Sequence, residues 1–280
     1  MNYGDLVEPL VTLARTAGDA ILEVYATDFD VQAKDDASPL TQADMASHHV
    51  IDAELRALTP DIPVISEESG LPPFNERSQW PVYWLIDPLD GTKEFVNRNG
   101  EFTVNIALID SNRPILGVVH VPVKGTTYTG CEGVGAAVRD ADDSSRWIQV
   151  ARESASPIRV VGSRSHRGAS LDAYLERLGD IEMLPMGSSL KFCVVAEGDA
   201  DIYPRLGPTS EWDTAAAQAV VEQAGGAVLE LDGKPLSYNA KEDILNPHFL
   251  VRGPKDRDWL QILAGRQPES TFAKIDKLAT

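Results

Sequence analysis

Residues 84–92 read Trp84-Leu85-Ile86-Asp87-Pro88-Leu89-Asp90-Gly91-Thr92, a stretch in which an apolar run ends in two aspartates. The apolar residues predict a buried strand that delivers both carboxylates at its C-terminal end, where open α/β sheets place ligand sites. Two carboxylates this close repel each other unless a cation lies between them. Mg²⁺ takes oxygen ligands from one or two carboxylates together with substrate phosphate. The stretch therefore predicts a metal-dependent phosphate site.

The chain is strongly acidic. It has 280 residues, 43% of them hydrophobic, and its 25 Lys and Arg against 43 Asp and Glu give a formal charge of −18. This length accommodates one large domain or two ordinary ones. So negative a surface repels a nucleic-acid backbone, which argues against a DNA or RNA polymer as partner. A phosphorylated substrate must then be attracted by bound metal and a few local cations.

Features that report on the cellular compartment favour the cytoplasm. Cys131 and Cys193 are far apart and lack metal-ligand spacing, as expected for free thiols in a reducing cytosol. Residues 1–5 have neither the basic nor the apolar region of a signal peptide, and no apolar run is long enough for an integral membrane segment. Loose association with the inner face of a membrane stays open, as does the oligomeric state, with a monomer slightly favoured.

Hydrophobic periodicity predicts two halves. Helical spacing runs over about residues 5–25 and again after a capping signal at 41–44, which places Asp44 in the first turn of the second helix. Segments 102–109 and 115–121 are rich in β-formers and predict an antiparallel pair. Residues 140–157 are polar. Beyond them strands alternate with helices, among which we predict helices at 188–197 and 213–224. We therefore predict an N-terminal α+β half at 1–150, a C-terminal α/β half at 151–264 and a polar tail at 265–280.

Acidic residues outside the opening stretch have ordinary structural interpretations when each is taken alone. Glu67-Glu68 reads as a solvated turn, Asp44 as a capping residue, and Asp213 as a charge stabilised by a helix N-terminus. Asp87 and Asp90 are harder to explain in this way. They follow five apolar residues, where a charge is costly unless it is paired or binds a metal.

Four motifs occur together in one order along the chain. They are Leu40-Thr41-Gln42-Ala43-Asp44, Ser66-Glu67-Glu68-Ser69, Asp87-Pro88-Leu89-Asp90-Gly91-Thr92 and Trp212-Asp213-Thr214-Ala215-Ala216. As a set they resemble the lithium-sensitive, Mg²⁺-dependent phosphomonoesterases of the inositol monophosphatase superfamily. The resemblance implies a layered α/β (α+β) fold, the five-layer αβαβα sandwich of the inositol monophosphatase and fructose-1,6-bisphosphatase type.

Further stretches narrow the resemblance to the CysQ-type 3′(2′),5′-bisphosphate nucleotidases. They are Lys93-Glu94-Phe95, Gly162-Ser163-Arg164-Ser165-His166, Gly187-Ser188-Ser189-Leu190-Lys191-Phe192-Cys193 and Tyr203-Pro204-Arg205. This resemblance implies removal of the 3′-phosphate of adenosine 3′,5′-bisphosphate to give AMP, in sulfur assimilation. It also implies that the sulfated analogue, 3′-phosphoadenylyl sulfate, is a substrate.

The resemblance assigns a metal site and a catalytic pair. Two or three Mg²⁺ would be bound by four carboxylates and one backbone carbonyl. The carboxylates are those of Glu67, Asp87, Asp90 and Asp213, and the carbonyl is that of Leu89. Thr92 and Asp44 would orient the attacking water and accept its proton. Glu68 would hold water or ligands in place.

The resemblance also assigns the substrate pocket. Gly91 and Thr92 would present backbone N–H groups to the scissile phosphate. The phosphate that is not cleaved would be bound by Lys191, Arg205 and the hydroxyl of Ser188, while His166 would lie near the base or sugar and Asp213 would also contact substrate. Taken alone, Lys191 is equally well a solvated helix residue and Arg205 a salt-bridge partner.

Two other functions stay open at this stage. One is the same chemistry on inositol phosphate, histidinol phosphate or a sugar bisphosphate, against which segments 162–166 and 187–205 favour the nucleotide. The other is a non-catalytic nucleotide or metal sensor on the same fold. A sensor would be expected to lack a metal carboxylate or Thr92, and this sequence keeps them all.

Overall fold

The structure, a computed structural model, describes residues 2–28, 31–33, 39–162 and 169–265. Within these ranges the helices are α1 (Val7–Tyr25), α2 (Gln42–Leu58), α3 (Phe74–Arg77), α4 (Thr92–Val96), α5 (Ala169–Leu178), α6 (Leu190–Ala196), α7 (Ala215–Gln223) and α8 (Trp259–Leu263). The strands are β1 (Val31–Ala33), β2 (Pro39–Thr41), β3 (Val64–Ser66), β4 (Val82–Asp90), β5 (Thr103–Asp110), β6 (Arg113–Val121), β7 (Thr126–Cys131), β8 (Gly135–Arg139), β9 (Ser145–Trp147), β10 (Ile158–Gly162), β11 (Ile181–Pro185), β12 (Ile202–Arg205), β13 (Ala227–Glu230) and β14 (Phe249–Arg252). Short 3₁₀ turns cover Tyr3–Leu6, Glu67–Ser69 and Pro122–Lys124. The predicted tail lies outside the described residues beyond Gly265.

The elements stack in five layers. A seven-stranded sheet has the order β3-β4-β5-β6-β7-β8-β9, and a five-stranded sheet has the order β11-β10-β12-β14-β13. Helices α1 and α2 pack on the outer face of the larger sheet, α6 and α7 lie between the sheets, and α5 and α8 cover the far face of the smaller sheet. Strand β5 is buried on both faces because helices cover each side. This order confirms the predicted αβαβα fold.

The strand that carries the two aspartates is longer than predicted. We expected it to end at Ile86, but β4 continues through Pro88 to Asp90. It pairs in parallel with β3 and antiparallel with β5, and its register with β5 shifts between Asp87 and Asp90. Such a bulge accommodates a proline, which has no N–H for the ladder, and re-aims the neighbouring side chains.

The second half differs from the prediction at its helix starts and in its sheet. We expected helices from Ser188 and Asp213, but α6 begins at Leu190 and α7 at Ala215, so both residues lie in turns before the helices. The sheet is mixed, because β14 runs antiparallel to β12 and β13. Strand β11 was not predicted, since this edge strand is only partly buried and has a weak apolar pattern. The predicted antiparallel pair is β5 and β6.

Helix α7 lies very close to the larger sheet at two glycines. A Cβ on Gly117 would be 2.1 Å from the carbonyl oxygen of Ala216, and one on Gly130 would be 2.5 Å from the Cα of Val220. Backbone atoms cannot move aside as a flexible side chain can, so only glycine allows this approach. The contact fixes the start of α7, two residues after Asp213, against the sheet that carries Asp87 and Asp90.

We expect Gly117→Ala to lower the free energy of unfolding by about 1–3 kcal/mol, the usual cost of an overpacked core. Urea denaturation monitored by tryptophan fluorescence measures the change. Gly207→Ala is the matched control, because a Cβ there meets no atom within 4 Å. Equal stability of the two variants would contradict the close packing of α7 on the sheet.

Candidate active site

Three carboxylates meet where the strand β4 approaches the turn before α7. Asp87, Asp90 and Asp213 each offer one oxygen, and these oxygens all lie within 4.8 Å of one another. Asp87 is buried and the other two are half-buried. Glu67, in the 3₁₀ turn after β3, shares a side-chain hydrogen bond with Asp87. The structure thus brings together the four carboxylates that the sequence predicted as metal ligands.

Burial and mutual repulsion oppose the ionisation of this cluster. Burial, followed by the charges of Glu67, Asp90 and Asp213, raises the pKa of Asp87 well above its ordinary value. Burial, followed by the charges of Asp90 and Glu67, raises the pKa of Asp213 to about 7. Carboxylates this close stay ionised together only beside a cation. The ligands are all oxygens, which fits a hard divalent cation such as Mg²⁺.

Asp90 is held by residues of the second half. Its Oδ2 accepts from the Ser188 hydroxyl at 2.6 Å, from the Ser189 N–H at 2.7 Å and from the Ser189 hydroxyl at 2.8 Å. Ser189 Oγ also lies 2.9 Å from the carbonyl oxygen of Asp213, and Asn105 Nδ2 donates to it at 2.8 Å. Ser188 has a φ of 52°, an uncommon conformation for a non-glycine residue that is typical of functional sites.

Asp213 is held by the residues just before it. Thr209 Oγ1 donates to its Oδ2 at 2.7 Å, and the Ser210 N–H donates to the same oxygen at 2.9 Å. These bonds fix one carboxylate oxygen of Asp213. Ser189, Asn105 and Thr209 were not predicted as site residues from the sequence. Thr209 could have been found from the sequence, because its hydroxyl lies only four residues before Asp213. Ser189 and Asn105 could not, because their hydrogen-bond partners are far away in the sequence.

The predicted catalytic pair is in contact. Thr92 Oγ1 donates to Asp44 Oδ1 at 3.4 Å, and Asp44 is buried in the first turn of α2. Gly91 precedes Thr92 with a φ of 94°, a left-handed conformation that favours glycine. Glu68 lies beside Glu67 in the same 3₁₀ turn. The catalytic roles of these residues stay predictions.

The backbone around Leu89 is anchored on both sides. Its N–H donates to Asp87 Oδ1 at 3.0 Å, and the carbonyl oxygen of the preceding Pro88 accepts from Ser47 Oγ of α2 at 2.7 Å. Helix α2 therefore supports both Asp44 and the bulge between the two aspartates. The predicted use of the Leu89 carbonyl as a metal ligand stays a prediction.

A cavity of about 140 Å³ opens beside the carboxylates, and its lining includes Asp90, Gly91, Ser188, Lys191 and Arg205. Lys191 is only 8% exposed. Burial lowers its pKa to about 8, although the nearby charge of Asp90 opposes this shift. Lys191 and Arg205 therefore share one cavity with Asp90 and Asp213.

Arg205 has donor capacity left in this cavity. Its Nη2 donates to the carbonyl oxygen of Pro208, while its buried Nε has no partner among the described residues. An unpaired buried donor is costly, so a bound anion would be favourable here. The last predicted pocket residue, His166, lies outside the described residues.

A larger cavity lies elsewhere. It measures about 540 Å³ and is lined by residues such as Trp147, Val150 and Gly225. It contains none of the predicted site residues and no carboxylate. The predicted pocket residues Ser188, Lys191 and Arg205 line the smaller cavity instead. In the described part of the chain, no helix combines the length and apolar character needed to cross a lipid bilayer.

We expect Asp213→Asn to stabilise the metal-free protein at pH 8. The pKa of Asp213 rises from 3.8 to about 7 on folding, so the folded state holds the proton more tightly and stability falls as pH rises between these values. Asparagine cannot ionise, so in EDTA the variant should unfold at least about 2 °C above the wild type, the shift that about 1 kcal/mol produces in a chain of this size.

Saturating Mg²⁺ should reverse this order, because a bound cation stabilises only the intact site. Asp232→Asn is the control, since Asp232 is exposed and a hydrogen bond with Lys234 lowers its pKa. Thermal unfolding in EDTA and in Mg²⁺ measures both effects. A metal-free Asp213→Asn protein less stable than the wild type at pH 8 would contradict the repulsion described here.

The chain is similar to characterised proteins over nearly its whole length. The profile of the inositol monophosphatase family matches residues 3–262. The 3′(2′),5′-bisphosphate nucleotidase CysQ of Escherichia coli O157:H7 is 53% identical over 248 residues, which cover 88% of this chain and 99% of that protein. The CysQ nucleotidase of Haemophilus influenzae is 36% identical over 258 residues, covering 92% and 96%.

Comparison of structures agrees. The crystal structure of CysQ from Bacteroides thetaiotaomicron, a bacterial member of the inositol monophosphatase family, is 39% identical with a TM-score of 0.77 and covers 88% of this chain and 98% of that chain. The family match at residues 3–262 spans both sheets and all four acidic motifs. The predicted resemblance is confirmed: the chain belongs to the inositol monophosphatase family.

Proposed function

We propose that this protein is a Mg²⁺-dependent 3′(2′),5′-bisphosphate nucleotidase that hydrolyses the 3′-phosphate of adenosine 3′,5′-bisphosphate to AMP and inorganic phosphate. The observation that carries the proposal is the buried Lys191, together with Arg205, in the cavity of Asp90 and Asp213. The carboxylates suit cations at the phosphate that is cleaved. Lys191 and Arg205 offer two positive charges to a second phosphate. The CysQ relatives are named 3′(2′),5′-bisphosphate nucleotidases, which supports a nucleotide with two phosphates as the substrate class.

The metal ligands of this proposal are the predicted ones, with two or three Mg²⁺ bound by Glu67, Asp87, Asp90, Asp213 and the Leu89 carbonyl. When bound, Mg²⁺ supplies charge stabilisation at the phosphoryl oxygens and activation of the attacking water. The hydrogen bonds to Oδ2 of Asp90 and of Asp213 orient both carboxylates. Orientation of ligands by outer contacts of this kind tunes metal affinity.

Thr92 and Asp44 are proposed to control the proton of the attacking water. Because the Thr92 hydroxyl donates to Asp44, its oxygen can accept a hydrogen bond from the attacking water. Asp44 is 1% exposed and is the acceptor at the end of this relay. Gly91 and Thr92 offer backbone N–H groups to the scissile phosphate, and Glu68 holds neighbouring ligands.

The remaining pocket residues are proposed to select the nucleotide. The Ser188 hydroxyl would join Lys191 and Arg205 at the phosphate that is not cleaved. Asp213 would also contact the substrate, and His166 would lie near the base or sugar. 3′-Phosphoadenylyl sulfate carries the same 3′-phosphate and is the second proposed substrate, which places the activity in sulfur assimilation. The two cysteines are buried free thiols, in keeping with a proposed location in the reducing cytoplasm.

We expect a strong preference for the nucleotide when phosphate release with Mg²⁺ is compared among adenosine 3′,5′-bisphosphate, inositol 1-phosphate and fructose 1,6-bisphosphate. The readout is kcat/KM for each substrate. A preference for inositol 1-phosphate would keep the metal site and overturn the nucleotide pocket. Absence of turnover on all three substrates would contradict the proposed catalytic function.

We expect Lys191→Ala and Arg205→Ala to raise KM for the bisphosphate about tenfold or more, which corresponds to loss of one charge-assisted hydrogen bond. KM for adenosine 3′-monophosphate, which lacks the second phosphate, should change much less. Lys255→Ala, which removes an exposed cation outside this cavity, is the control. An equal effect on both substrates would contradict the assignment of the second phosphate to these cations.

A further inference from the structure

A buried arginine joins the two halves of the chain. Arg77, at the end of α3, is 1% exposed. Its guanidinium donates from Nη1 to Asn239 Oδ1, and from Nη2 to the carbonyl oxygen of Glu242 at 2.5 Å. The Asn239 amide donates back to the carbonyl oxygen of Arg77 at 2.6 Å. The planar guanidinium of arginine donates in several fixed directions at once, which the ammonium group of a lysine cannot do.

Residues 239–246, which we call the 239–246 loop, hold the segment that carries Asp213. The N–H of Asn239 donates to Glu211 Oε2 at 2.7 Å, and the Glu211 N–H donates to the carbonyl oxygen of Ile244 at 2.9 Å. Glu211 is 1% exposed and lies two residues before Asp213. Residues 209–213 form the segment that carries Asp213, which we call the Asp213 segment. The loop therefore holds this segment at Glu211, by one hydrogen bond to its buried carboxylate and one from its backbone N–H.

The same loop holds the two donors to Asp213. The N–H of Asn246 donates to the carbonyl oxygen of Thr209 at 2.8 Å, and its Nδ2 donates to that of Ser210 at 2.8 Å. Thr209 and Ser210 are the residues that donate to Asp213 Oδ2. The position of the Asp213 carboxylate thus depends on the 239–246 loop, and the loop is anchored by Arg77.

A buried cation is expensive as a structural element. Desolvation of an arginine costs free energy that an apolar side chain of similar size would not require. Arg77 has no carboxylate within ion-pair distance among the described residues; its charge is balanced by backbone carbonyls and, at longer range, by Glu211. What the arginine supplies is directional bonding to one loop.

We propose that Arg77 is a positioning residue for Asp213: through the 239–246 loop it sets the place of this carboxylate relative to Asp87 and Asp90, and thereby the affinity of the site for divalent cations. The proposal rests on the proposed function in that Asp213 is taken as a metal ligand. It assigns a role to a residue that touches neither metal nor substrate. Substitution of Arg77, which contacts the Asp213 segment only through the 239–246 loop, should therefore change both metal affinity and turnover.

The test compares Arg77→Met and Arg77→Lys with the wild type. Mn²⁺ affinity of the metal-free protein is measured by titration calorimetry, and thermal unfolding is followed in parallel. We expect Arg77→Met to weaken Mn²⁺ binding at least tenfold and to lower kcat at fixed Mg²⁺ with little change in KM for the nucleotide. Arg77→Lys should recover part of the affinity, because it keeps the charge but not the planar guanidinium.

Arg159→Met is the matched control for lost stability. Arg159 donates to the buried Asp201 at 2.7 Å in the smaller sheet, remote from the carboxylates in sequence and layer. We expect this variant to unfold at lower temperature with unchanged Mn²⁺ affinity. An Arg77→Met protein with the same pattern, lower stability and native affinity, would overturn the proposal and leave Arg77 a purely structural residue.

A second variant keeps the proposal falsifiable if Arg77→Met does not fold. Asn239 has a φ of 54°, so Asn239→Gly removes the amide without backbone strain and keeps the N–H that donates to Glu211. Weakened Mn²⁺ binding in this variant supports the proposal, and native binding overturns it. Substrate does not enter these titrations, so a wild type that binds Mn²⁺ but rejects adenosine 3′,5′-bisphosphate would overturn the proposed substrate alone.

Discussion

Repulsion among carboxylates crowded into one partly buried site is the constraint on which the rest of this structure depends. Burial and neighbouring charge raise the pKa of both Asp87 and Asp213, so the fold holds these groups together at a cost in stability. A cluster of oxygen ligands under this repulsion is a ready site for divalent cations. The repulsion therefore lowers the stability of the metal-free protein, and cation binding restores it.

The fold resists this repulsion from both halves at once. Asp87 and Asp90 are fixed in β4 at a bulge, and Asp213 lies in the turn before α7, which rests directly on Gly117 of the same sheet. Ser189 bridges the two sides through Asp90 and the Asp213 carbonyl. Arg77 and the 239–246 loop support the Asp213 segment from behind these contacts. The carboxylate geometry is thus a property of the whole sandwich, since no single half contains it.

The sequence could predict features that depend on neighbouring residues and features that are shared by the whole family. The strand before Asp87 and the place of Asp44 in the first turn of α2 follow from apolar runs and turn residues within a few positions. The four acidic motifs predicted the family and its five layers. The extension of β4 through Pro88 was missed because the bulge depends on pairing with β5. Contacts such as Asn105 with Ser189, or Arg77 with Asn239, join residues far apart in sequence and leave no local pattern.

The central claim is that Asp87, Asp90 and Asp213 bind divalent cations together. The most direct test is anomalous diffraction from crystals of this protein grown with Mn²⁺ in place of Mg²⁺. The account predicts anomalous peaks within about 2.0–2.6 Å of carboxylate oxygens from all three aspartates, the range of oxygen ligands around hard cations. Peaks confined to other acidic residues, with the cluster of Asp87, Asp90 and Asp213 empty at saturating Mn²⁺, would contradict it.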